Sequence, residues 1–149
     1  MTRGRAAIVK AYYLKRPHPD IPKEVLTVSL NPDSNSIPYT LGRLFSVLEA
    51  AQHTSNPTVK GTIRDRCYNA ASSNPERVFP HLIKLSQKHT KKLNPGLRQY
   101  YEKQICDLMN ILPEHFPTNL NSAQQSSFHL GYYHQTQKRY EKKEKKNNE

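Results

Sequence analysis

Eleven prolines divide this chain into segments whose apolar residues recur at helical spacing, and that alternation constrains the fold more than any other feature. Proline fixes φ and lacks a backbone donor, so it opens or ends a helix far more readily than it sits inside one. Pro17, Pro19, Pro22 and Pro32 crowd one stretch that Pro38 closes, and Pro57, Pro75, Pro95, Pro113 and Pro117 mark later breaks. Between them the pattern predicts helices and no convincing strand. The one run with β character, VLTVSL at 25–30, cannot make a sheet alone.

The predicted elements run as follows. A first helix covers 5–16 and ends at Pro17. A long connection spans 17–38, with turn chemistry at Asn31, Asp33, Ser34, Asn35 and Ser36. A second helix starts near Ser36 or Pro38 and carries Leu41, Leu44, Phe45 and Leu48 at i, i+3, i+4 and i+7, an amphipathic stripe. A third covers about 62–71 with Ile63 and Cys67 inward. The fourth begins at Ser73-Asn74-Pro75-Glu76, an N-cap, a first-turn proline and an early carboxylate. Its apolar residues are Val78, Phe79, Leu82, Leu85 and, further on, Leu93, the face opposite its cations reads as Val78, Leu82, Leu85 and His89, and Pro80 is expected to bend it or delay its start. A fifth covers about 97–112. The last begins near Asn121 or Ser122, where Ser122 and Gln125 have capping-box spacing, and packs through Phe128, Gly131, Tyr132 and Gln135. Gly131 suits a close helix crossing. The fold class is therefore all-α, a bundle of about five to six helices. One domain over 1–137 is followed by a basic tail, 138–149, frayed or disordered.

Composition narrows function. The 149 residues include 23 Lys and Arg against 12 Asp and Glu, a net charge of +11. That excess points to a polyanionic partner, most often nucleic acid. No apolar stretch is long enough for a membrane span, and the start is no secretory signal. Cys67 and Cys106 are expected as reduced thiols, at least half buried, in a cytoplasmic protein. A magnesium nuclease needs clustered carboxylates, yet Asp65 stands between two arginines, and Glu102 and Asp107 are five apart. The seven histidines form no HxxxH pair. No catalytic residue, metal or cofactor is expected.

Turned at about 100° per residue, the fourth helix gathers Arg77, His81, Lys84, Lys88, Lys91 and Lys92 on one side, with no acid after Glu76. A solvated face normally mixes signs. A single-sign face fits phosphates, which lysine contacts without reading bases. Arg64, Arg66 and Arg98 are candidates for the same surface. The doublets Tyr12-Tyr13, Tyr100-Tyr101 and Tyr132-Tyr133 are expected to place one ring in the core and its neighbour at the rim, with stacking on the bases of a single strand or a subunit contact as the alternatives.

Four blocks take the reading further: YTLGRLFSVLEAAQ (39–52), RCYNAASSNPERVFPHLIKL (66–85), QYYEKQICDLMNIL (99–112) and FHLGYYHQTQ (128–137). In order and spacing they resemble the C-terminal region of the type I-C CRISPR large subunit, over most of the chain up to Gln137. That region is also made from an internal start as a separate small subunit of the Cascade surveillance complex, which this shorter chain, beginning with Met, is similar to. The resemblance implies a non-catalytic helical bundle, present in more than one copy. Its neighbours would be the repeated backbone subunits, the large subunit, sibling small subunits, CRISPR RNA and target DNA, with no membrane. Its task would be to steady the R-loop and the displaced non-target strand, where base pairing reads sequence and protein supplies shape and charge. The alternatives are a purely structural adaptor for an acidic protein neighbour, an excised domain of the large subunit and, further off, a small nuclease.

Overall fold

The structure is a computed structural model and describes residues 30–148. The expected first helix, the Tyr12-Tyr13 doublet and the connection up to residue 29 lie outside the described residues. Those that follow form five α-helices and no strand. They are α1 (Ile37–Ser55), α2 (Ile63–Ser73), α3 (Pro75–Lys91), α4 (Pro95–Ile111) and α5 (Ser122–Asn147). The all-α bundle expected from the proline-punctuated pattern is the fold observed.

α1 is the hub and touches each of the other four helices. The sequence predicts an amphipathic helix, but α1 is buried nearly all round. Leu41, Leu44, Phe45 and Leu48 enter the core as their spacing requires, and Thr40, Gly42 and Ser46 on its polar side are buried as well. Small residues explain this. A Cβ on Gly42 would overlap the carbonyl oxygen of Phe128, and one on Gly131 would overlap that of Tyr39. The two missing side chains let the α1 and α5 backbones touch, the close crossing anticipated at Gly131.

The contact becomes polar along its length. The Tyr39 hydroxyl and His134 Nδ1 share a 2.7 Å hydrogen bond, and the Ser46 and Thr136 hydroxyls lie 2.8 Å apart. Arg43 Nε donates to Gln135 Oε1 at 3.1 Å, and Tyr132 donates to both Glu49 oxygens at 2.9 Å. On the apolar stripe of α1 Phe45 meets the rings of Tyr68, Phe79, Phe128 and Tyr132 at steep angles, with centroids 5.3 to 6.4 Å away. Aromatic rings favour such edge-to-face contacts.

Helix ends follow local chemistry. Thr62 and Asp65 form a reciprocal capping box at α2, so the acid between two arginines is a cap. Asn74 ends α2 and precedes α3, which begins at Pro75 without delay and continues past Pro80. The box at α5 lies one residue earlier than predicted, on Asn121 and Gln124. Asparagine caps as well as serine does, and the Asn121 side chain reaches the Gln124 amide at 2.9 Å. Loop 112–121 is strapped to the α2–α3 corner: Glu76 N donates to Pro117 O at 3.0 Å and Leu120 N to Ser73 O at 2.9 Å. α5 continues as helix through residues 138–147.

Two expectations need correction. Cys67 is half-buried, but Cys106 is exposed, since it stands on the outer side of α4, away from Tyr101 and Leu108. Tyr101 is buried beside exposed Tyr100, as predicted, whereas Tyr132 and Tyr133 are both buried. The middle of α5 is covered on most of its circumference, and a doublet there has no rim.

Candidate nucleic-acid interface

α3 carries the expected basic face. Its packed residues are Pro75, Phe79, Leu82, Ser86 and Thr90. The predicted set, Val78, Leu85 and His89 around Leu82, is only half-buried apart from Leu82 itself. At about 100° per residue the true face lies roughly 70° further round the helix. Phe79 sets this rotation by joining the Phe45 cluster and stacking on Phe116 at 5.5 Å. Ser86 and Thr90 are tolerated inside because each hydroxyl bonds back to its own helix, to Ile83 O at 2.6 Å and Gln87 O at 3.3 Å.

The rotation sharpens the segregation. Arg77, His81, Lys84, Lys88, Lys91 and Lys92 are all exposed, and their arc is centred about 180° from the packed one. The only acid on α3, Glu76, lies at its start and accepts a 2.8 Å bond from the Thr118 hydroxyl. Lys88 and Lys91 also sit in the last turn, where positive charge complements the helix dipole.

The outlying candidates are placed differently. Arg98 donates through Nε to Thr90 O at 3.2 Å and through Nη2 to Lys91 O at 2.7 Å. It therefore caps the C-terminus of α3, beside the stripe but already partnered. Arg64 lies over the Tyr132 ring, 5.5 Å from its centroid, and so faces α5. Arg66 is exposed on α2, near Gly61. Asp107, weighed above as a nuclease acid, pairs with Lys103 at 2.9 Å in an exposed i,i+4 bridge. Among the described residues no three His, Cys, Asp or Glu side chains converge as metal ligands, and no helix is long and apolar enough to cross a membrane.

Two histidines near the core titrate low. Burial disfavours the His129 imidazolium, whose Nδ1 shares a 2.7 Å bond with the Tyr68 hydroxyl. Burial also lowers His89, and Lys92 adds to it. Burial raises the Tyr68 and Tyr132 hydroxyls, so both stay protonated. A histidine whose folded pKa is depressed supplies stability that is complete above its unfolded value of about 6.5 and is lost as pH falls. The melting temperature is therefore expected to drop between pH 7.5 and pH 5, and His129→Gln to remove part of the drop. Equal melting temperatures at the two pH values would contradict this.

A family model of the CRISPR-associated protein (Cas_Csd1) matches residues 1–140. The chain belongs to the CRISPR-associated Cas_Csd1 family. The match agrees with the resemblance carried by the four sequence blocks, and it extends from the residues before α1 into the basic stretch of α5. No curated protein matches the chain. In this Cas_Csd1 chain three of the blocks fall on packed helices: 39–52 is most of α1, 66–85 joins α2 to the first three turns of α3, and 128–137 is the stretch of α5 that packs on α1.

Proposed function

We propose that this chain is a non-catalytic small subunit of a type I-C CRISPR effector, which uses the outer face of α3 to hold nucleic acid and favour the open R-loop. The observation that carries the reading is the acid-free stripe of Arg77, Lys84, Lys88, Lys91 and Lys92 opposite the packed face of its helix. Cations fixed along a rigid helix neutralise successive phosphates and release counterions, with no demand on sequence. An effector that reads its target by base pairing needs only that service for the displaced strand. Family membership supports a place in a CRISPR complex. The backbone subunits, the large subunit, sibling copies, CRISPR RNA and the non-target strand are the partners this reading implies.

The test is binding of the isolated chain to labelled single- and double-stranded DNA across a salt series. The reading predicts micromolar or tighter binding at low salt, indifferent to sequence. On single strands each neutralised phosphate should contribute about −0.7 to the slope of log K against log salt. An adaptor for an acidic protein would show no tight DNA binding, and that result would overturn the reading.

A further inference from the structure

A second surface lies apart from the α3 stripe. α4 and the C-terminal half of α5 diverge from α1 and leave a groove between them. Its outer part is a cleft of about 850 Å³, and an inner hollow of about 300 Å³ opens into it. The two share Ala50, Tyr100, Tyr101, Arg139 and Lys142 as walls. Three large apolar side chains stand well open to solvent among the described residues: Leu97 at 38%, Tyr100 at 44% and Tyr140 at 49%. All three line the outer cleft.

The cleft is also basic. Arg139, Lys142, Lys143 and Lys146 face it at i, i+3, i+4 and i+7 of α5, joined by Lys145, and no acid lines this outer part, while Asp107, paired with Lys103, is a wall of the inner hollow. Glu141 and Glu144, which make this stretch look sign-mixed in sequence, are not among its walls.

Buried Tyr101 and half-buried Arg139 hold the rings in place. Tyr101, whose hydroxyl lies 2.8 Å from Thr54 Oγ1, meets Tyr100 edge-on at 5.2 Å. Arg139 lies over the Tyr140 ring at 5.4 Å, while its Nη1 reaches Ser46 O at 3.5 Å and its Nη2 stands 3.9 Å from Glu49. At the inner end Arg43 is nine-tenths buried, and its Nη1 has no hydrogen-bond partner among the described residues.

Open aromatic rings beside an acid-free row of lysines match one ligand chemistry: flat bases on a charged backbone, as in an unpaired nucleic-acid strand. An acidic peptide would satisfy the lysines but leave the rings without a partner. The α5 cations from Arg139 to Lys146 span about 10 Å of helix, room for roughly three nucleotides at the 3.4 Å stacked rise. We propose that this groove is a single-strand binding site, in which Tyr100 and Tyr140 stack on bases while Lys142, Lys143 and Lys146 neutralise the adjoining phosphates. The site rests on the reading that the chain meets nucleic acid, but not on the α3 stripe as its location.

The test uses the full chain and a mixed-sequence single-stranded oligonucleotide carrying 2-aminopurine, whose fluorescence is quenched on stacking. Wild type is expected to quench the probe. Tyr100→Ala with Tyr140→Ala should abolish quenching and weaken single-strand binding by about tenfold per ring, with duplex affinity and salt slope unchanged. Tyr100→Phe with Tyr140→Phe should restore both. Changing Lys142, Lys143 and Lys146 to Gln should flatten the salt slope by about 2. Both tyrosines are exposed, so the alanine pair should keep its melting temperature. Duplex binding with no quenching and no response to the tyrosine changes would sink the groove and leave the α3 reading standing. Poly-glutamate displacing the probe equally well from wild type and the alanine pair would make the groove an acidic-protein surface. A chain that binds no nucleic acid at 50 mM salt would overturn both readings.

Discussion

Gly131→Ala should destabilise the protein by about 3 kcal/mol, a large fraction of what holds a domain of this size together. The cause is steric. A methyl group at Gly131 meets the Tyr39 carbonyl, and one at Gly42 meets the Phe128 carbonyl with the Tyr132 amide nitrogen 2.7 Å away. Both obstacles are backbone, which has no rotamer into which to retreat. The α1 and α5 axes would have to separate, and the Tyr39–His134 and Ser46–Thr136 bonds between them would lengthen. Overpacking a dense interior costs about 1–3 kcal/mol or more, and here the lost bonds add to it. Urea unfolding followed by circular dichroism measures the change. Gly96→Ala is the control, because its added Cβ meets only the Asn94 side chain at 3.5 Å near the start of α4. Its expected effect is neutral to mildly stabilising. Equal stabilities for the two alanine variants would contradict the packing account.

Reversing charge at Lys84, Lys88 and Lys91 to Glu should weaken DNA binding by about a hundredfold at moderate salt. The slope on single strands should flatten by roughly 2, three contacts at about 0.7 each. The fold should survive, since all three side chains are exposed and lie opposite Phe79, Leu82, Ser86 and Thr90. The structural penalty is confined to the last turn of α3, where glutamate in place of Lys88 and Lys91 sets negative charge against the helix dipole, at about 0.3–1 kcal/mol each. A fluorescence-anisotropy titration paired with a thermal melt separates the two effects. Unchanged affinity in a folded variant would move the site off α3.

The particular residues show what a single sequence makes legible here. Leu41, Leu44, Phe45 and Leu48 declare α1 because large apolar residues at helical spacing have no other use. The same pattern hides that α1 is buried on its other side, since Gly42, Ser46 and Thr40 are small and polar on paper and interior in space. Ser86 and Thr90 mislead similarly: hydroxyls that bond back to their own helix behave as small core residues, so the apolar pattern displaces the α3 packing face toward Val78 and Leu85. The basic stripe is insensitive to that shift because it depends on the cations' mutual phase alone. The groove was not legible. Tyr100 and Tyr140 are forty residues apart and line one cleft only because two helices come together around it, and Glu141 and Glu144 disguise the lysine row in any count of charge.

The most direct measurement is the lifetime of the R-loop formed by a reconstituted, guide-loaded type I-C effector on supercoiled DNA, read by permanganate reactivity of the displaced strand. Three preparations are compared: with the wild-type chain, with the Lys84, Lys88 and Lys91 reversal variant, and with the chain omitted. The account predicts a long-lived open strand with the wild-type chain, and lifetimes for the variant that approach those of the effector lacking it. Equal lifetimes in all three preparations would contradict a role in supporting the R-loop.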